Sequence, residues 1–221
     1  MPFDLPPVTR NLLIANVVVF LLQMMLHDLT SLALTQHFAL WPLGPDVTDA
    51  SPDGNMITGG FRIWQLVTYA FMHESFLHIA SNMFGLLMFG GIIERTLGAR
   101  NFLVYYFTCA VTAALVQLIV VKFFIPGFYP TLGASGAIFG ILLALGMLYP
   151  HEKLMVIPIP VPMPAWVLVT GYAVIELVTG VTGTLSGIAH FAHLGGMLGG
   201  IVLIQYWRGR LPIKPKRVFL R

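Results

Sequence analysis

Residues 123–150 read FFIPGFYPTLGASGAIFGILLALGMLYP, and this stretch decides the fold. Its second half, from Ser135 to Tyr149, is apolar and free of proline, but only 15 residues long. A helix rises about 1.5 Å per residue and a bilayer's hydrocarbon core is about 30 Å thick, so this segment cannot cross alone. The first half is just as apolar but is broken by Pro126, Gly127 and Pro130. A non-helical, re-entrant loop must therefore dip into the membrane before a short helix begins. Irregular backbone survives at that depth only in a protein-lined or water-filled cavity. Ser135 opens the helix, beside free backbone N–H groups and the positive end of the helix dipole.

The remainder of the 221-residue chain agrees with a membrane setting. Of its residues 57% are hydrophobic and 10% charged, against about 25% charged in a soluble domain. Mean hydropathy is +0.83. A soluble globular domain, a disordered chain and a disulfide scaffold are excluded. The single cysteine, Cys109, rules out an intrachain disulfide and a multi-cysteine metal site. Net charge +3 and a pI of 9.2 come from charges at chain ends and in loops. That pattern marks membrane orientation, not nucleic-acid binding.

Working outward, six segments predict an all-α polytopic protein in one membrane domain. They cover about residues 12–26, 75–93, 101–121, 135–149, 165–181 and 187–207, the fourth being the short helix after the re-entrant loop. The first lacks a small-residue cleavage signal and reads as an uncleaved span. Six spans put both termini on one side. The basic tail 208–221, Arg95 and Arg100 after span two, and Lys153 after span four all fall on that side. The connection 27–62 carries Asp28, Asp46, Asp49 and Asp53 against Arg62 alone. The positive-inside rule then places the termini in the cytoplasm of a cell (inner) membrane protein and loop 27–62 outside. That loop is either a surface loop or one resting partly in the interface.

Ionisable and polar side chains inside spans are costly, so each is a functional candidate. They are His78 and Asn82 in span two, Ser135 in span four, Glu176 in span five, and His190 and His193 in span six. Asn16 and Gln23 in span one suit helix–helix hydrogen bonds. Depth follows from counting up each helix from its cytoplasmic end. Ser135 stands 15 residues above Pro150, about 22 Å, and His193 stands 14 above Trp207, about 21 Å. His78 and Asn82 stand 16 and 12 residues above Glu94, about 24 and 18 Å. Three helices thus deliver four polar groups to one level, about 8 Å below the outer edge of the core.

A serine hydroxyl needs an adjacent base to become a nucleophile, and His193 is the candidate. The Ser135 N–H, the His78 ring and the Asn82 amide, at i and i+4 on one face, could hold an oxyanion. Gly136 and Gly140 can meet Gly196 and Gly200, a small-xxx-small pairing that would bring Ser135 to His193. Phe139, one turn below Ser135, can pack on the imidazole. The constellation reads as peptide-bond hydrolysis within the membrane.

These residues give the chain a family likeness. It resembles the rhomboid intramembrane serine proteases, prokaryotic six-span type. The likeness rests on His73-x-x-x-x-His78-x-x-x-Asn82, on Gly133-Ala134-Ser135-Gly136, and on Ala192-His193-x-x-Gly196-x-x-x-Gly200. It implies a Ser135–His193 dyad, with His78 and Asn82 at the oxyanion and Gly133, Gly136, Gly196, Phe139 and His190 in support. It implies cleavage of single-pass membrane proteins from within the lipid bilayer, near the outer end of their helices, without metal or organic cofactor. The chain departs from the family at Trp64-Gln65, where many relatives carry Trp-Arg, and at Phe139, where many bacterial members carry Tyr. Glu176 could be a third triad member orienting the imidazole, but because the likeness implies a dyad it reads rather as a structural or protonated carboxylate. His190 could tune the base but reads rather as a hydrogen-bonded packing residue, and His73 as a water-facing or loop-anchoring one. Glu94-x-x-x-Gly98 reads as a structural tie at the cytoplasmic turn. Span five, with the outer connection 180–187, is the candidate gate.

Three other readings stand beside this one. A metal enzyme could be built on His73, His78, His190 and His193, although the H-E-x-x-H spacing is missing. An inactive rhomboid-like client-binding protein would keep the fold without the cleavage. A transporter would call for repeat symmetry, which the sequence lacks.

Overall fold

A computed structural model describes residues 5–26, 30–50, 56–156, 159–184, 189–215 and 220. Parts of loop 27–62, of the connection 180–187 and of the tail 208–221 lie outside these residues. Helix α1 (Pro7–Met25) is followed by α2 (Thr30–Phe38) and the hairpin β1 (Val47–Ala50) and β2 (Met56–Gly59). A short α3 (Gln65–Thr68) leads to α4 (Phe76–Gly85), a π segment Leu86–Gly90 and α5 (Gly91–Leu97), which together form one 22-residue rod. Then come α6 (Ala99–Phe123), α7 (Ser135–Leu148), the hairpin β3 (Lys153–Val156) and β4 (Ile159–Pro164), α8 (Ala165–Thr182) and α9 (His190–Trp207).

Among the described residues, four helices are long and apolar enough to cross a membrane: α1, the α4–α5 rod, α6 and α8. The chain is therefore a polytopic helical membrane protein. Helix α7 is apolar but only 14 residues long. Helix α9 has 18 residues and carries two histidines and four glycines among its apolar side chains. Large apolar side chains stay exposed around the outside, among them Val17 and Leu21 on α1, Val174 and Val178 on α8, and Val202 on α9. Such a belt suits lipid.

Helix α6 forms the centre, burying Phe102, Tyr105, Tyr106, Cys109, Ala110 and Ala113. Helices α7 and α9 pack on it and on each other through small residues. A Cβ on Gly196 would run into the Gly136 carbonyl, and one on Gly140 into Cys109. Tyr105 donates to the Gly140 carbonyl at 2.7 Å. Lipid supplies no hydrophobic force between helices, so this close approach and its hydrogen bonds hold them together.

The sequence expectation changes at several points. Two hairpins qualify the all-α assignment. Loop 27–62 carries α2 and a hairpin, and the connection after α7 is the second hairpin. Span one starts at Pro7, five residues earlier than expected. The reason is Glu94, which is 2% exposed and accepts from Val8 N (2.9 Å), Thr9 N (2.6 Å) and Thr9 Oγ1 (2.7 Å). It satisfies orphan donors at the start of α1. Asn16 donates to the Leu12 carbonyl of its own helix, so that bond lies within α1. Gln23 exchanges two hydrogen bonds with the His73 backbone, at 3.0 and 3.1 Å.

The irregular segment before α7 finds its partners in the protein. Leu40 and Thr131 exchange backbone hydrogen bonds at 2.8 and 2.9 Å, and Gly133 N donates to the Tyr69 carbonyl at 2.9 Å. Trp41 packs on Phe128 with ring centroids 5.0 Å apart. The connection between α1 and α3 thus braces the entry to α7. Gln65 anchors that connection. It is fully buried, accepts from Trp41 N and Arg62 N, and donates to the His37 and Gly60 carbonyls. An amide has both donors and acceptors, so a neutral residue does the clamping where the family pattern has Arg. Outside, Arg62 pairs with Asp46 at 2.7 Å and holds that carboxyl below its usual range through their hydrogen bonds.

Candidate active site

Ser135 is the first residue of α7 because the chain before it cannot be helical. Pro126 and Pro130 break the run, and Gly133 adopts φ +115°, a conformation closed to most L side chains. The N–H of Ser135 is among the first amides of the helix, which have no intrahelical acceptor. His193 comes from α9 and faces it. Its Nε2 lies 2.7 Å from Ser135 Oγ. Phe139 stacks on the imidazole, centroids 4.3 Å apart and planes 5° from parallel. Tyr172 of α8 meets Phe139 edge-on at 5.9 Å. The ring of His193 is thereby fixed in plane while its Nε2 points at the hydroxyl.

His78 and Asn82 project from α4 on the other side of Gly133. A Cβ on Gly133 would stand 2.6 Å from His78 Nε2 and 3.7 Å from Asn82 Nδ2. The glycine therefore lets two side-chain donors close on the strand that leads into the serine. Asn82 Nδ2 also donates to the His78 carbonyl at 3.1 Å, and its second hydrogen remains available. The four polar groups line a cleft of about 1570 Å³ with Phe139 and Tyr172.

Three further polar residues lie beside these groups. His73 is 2% exposed rather than water-facing, and its ring meets His78 edge-on at 5.0 Å. Burial pushes its imidazole down to about 4, so it stands neutral beside His78. Glu176 of α8 lies against both histidines of α9. Its Oε2 is 2.6 Å from His190 Nδ1 and 3.0 Å from His193 Nδ1. The His190 contact has hydrogen-bond geometry, and Thr179 Oγ1 adds a second partner to the same nitrogen at 3.1 Å. The His193 contact has the distance with a poorer angle. These separations are shorter than those between donors sharing a zinc ion about 2 Å from each, so the trio reads as a carboxylate–imidazole contact and not as a metal cage. The sequence carries one signal for Glu176. It is the sole acidic residue inside the six predicted segments.

A family profile described as "Rhomboid domain" matches residues 60–210. Rhomboid protein 1, mitochondrial, of Saccharomyces cerevisiae is 35% identical over 144 residues, covering 64% of this chain and 41% of the yeast protein. Presenilin-associated rhomboid-like protein, mitochondrial, of Bos taurus is 34% identical over 152 residues, covering 65% of this chain and 39% of its own length. Rhomboid-like protein 11, chloroplastic, of Arabidopsis thaliana is 32% identical over 161 residues, with 65% and 52% covered. The chain thus spans about half or less of the length of these relatives.

Proposed function

The chain belongs to the rhomboid family, and from that premise we propose that it is an intramembrane serine endopeptidase acting on single-pass transmembrane proteins. The observation that carries the proposal is the 2.7 Å contact between Ser135 Oγ and His193 Nε2. The reaction follows from that contact. As Ser135 Oγ bonds to the scissile carbonyl carbon, its proton passes to His193 Nε2 and the carbonyl electron pair moves onto oxygen. The Ser135 N–H, the His78 ring and the Asn82 amide stabilise that oxyanion. His193 then returns the proton to the leaving amine as the C–N bond breaks. Water repeats the sequence on the acyl-enzyme, and no metal or cofactor takes part.

The membrane placement belongs to the same proposal. Helices α7 and α9 join the other four spans to make six, and segment 124–134 re-enters the membrane. The termini lie in the cytoplasm of a cell membrane protein and the cleft opens outward, in keeping with the basic tail and the acidic first loop. An inactive client-binding protein would have no use for the tight Ser135–His193 contact. In detergent with a fluorescent single-pass substrate, Ser135→Ala and His193→Ala should each abolish cleavage. Full cleavage by either variant would overturn the dyad.

A further inference from the structure

We infer that Glu176 is a positioning residue for this chemistry, completing a Ser135–His193–Glu176 triad in which one carboxylate orients both histidines of α9. The inference rests on the proteolytic reading above and goes beyond its dyad. Two ring nitrogens converge on a single oxygen, Glu176 Oε2, at 2.6 Å from His190 and 3.0 Å from His193. All three residues are buried, at 7–8% exposure. Oε2 is hydrogen-bonded to His190 Nδ1 and lies within ion-pair distance of His193 Nδ1. A protonated carboxyl would have to donate to one of them and reverse that ring's tautomer.

A carboxylate 3.0 Å from His193 Nδ1 favours the proton on that nitrogen, which leaves Nε2 with its lone pair toward Ser135 Oγ, the tautomer a general base needs. When Nε2 takes the serine proton, the imidazolium forms within 3.0 Å of the carboxylate. In a dry site that proximity favours the charged intermediate over the neutral pair. The proton stays on Nε2 until the amine leaves, and Glu176 takes none. His190 and Thr179 fix the carboxylate. His190 Nδ1 contacts Glu176 Oε2 and also lies 3.1 Å from Thr179 Oγ1. That clamp ties α8 to α9 at the level of the base. Phe139 holds the plane of His193 and Glu176 its rotation about that plane, two constraints that do not overlap.

The test compares Glu176→Gln and Glu176→Asp with the parent, on purified full-length protein in detergent. Cleavage gives kcat and KM, and thermal unfolding reports the fold. Gln keeps the shape and can turn its amide to donate to Nδ1, imposing the wrong tautomer. It should lower kcat on the order of 10²-fold or more with KM within about threefold. Asp keeps the charge at shorter reach and should recover part of that loss. Folded Glu176→Gln with kcat within threefold of the parent would overturn the inference while leaving the dyad standing. So would equal losses in Gln and Asp that track lowered unfolding temperatures, since a purely structural carboxylate behaves that way. A parent whose cleavage survives Ser135→Ala would instead remove the proteolytic reading, and this one with it.

Discussion

At the residue scale, the site depends on what is missing as much as on what is present. Gly133 has no side chain, and its positive φ and the nearness of His78 both forbid one. Gly133→Ala should therefore push the His78 ring off the oxyanion position. The expected result is a fall in kcat of roughly 10²-fold, the range for loss of one oxyanion donor, with the protein still folded. Parent-like kcat would mean that the ring does not serve the oxyanion. Ser135, His193, His78 and Asn82 were legible because a membrane helix cannot absorb polar groups cheaply, so each stood out against an apolar background. Glu176 stood out equally. That it meets both histidines of α9 at once was not legible, because which face of α8 meets α9 is a packing outcome that one sequence does not encode locally. Gln65 was hidden for a related reason. An amide reads as a neutral loop residue until the four backbone groups around it are seen.

At the element scale, long apolar helices were readable from length and composition, and the hairpins were not. Strand β4 reads IPVPMP, and proline removes ladder donors, which argues against a strand by pattern. A two-stranded ribbon has an open edge on each strand and tolerates this. The start of α1 was also misplaced, since Glu94, distant in sequence, caps it. Glu94→Ala would leave Val8 N, Thr9 N and Thr9 Oγ1 without their acceptor. We expect it to cost about 2–4 kcal/mol, seen as a lower unfolding midpoint in detergent. An unchanged midpoint would show that α1 is held by its lateral packing alone.

At the scale of the whole molecule, the fold works as a frame that keeps a polar cleft inside an apolar shell. Helix α6 anchors it, glycine contacts draw α7 and α9 together, and the connection from α1 to α3 braces the irregular segment ahead of Ser135. Ser135 and His193 lie 58 residues apart in sequence and meet only when this frame is intact. Reactivity of the serine is therefore a property of the folded protein. The most direct measurement is labelling of the intact, detergent-solubilised protein with a fluorophosphonate, followed by mass mapping of the modified residue. Modification is expected at Ser135 alone, lost in His193→Ala and after heat unfolding. Labelling elsewhere, or undiminished labelling of Ser135 without His193, would contradict it.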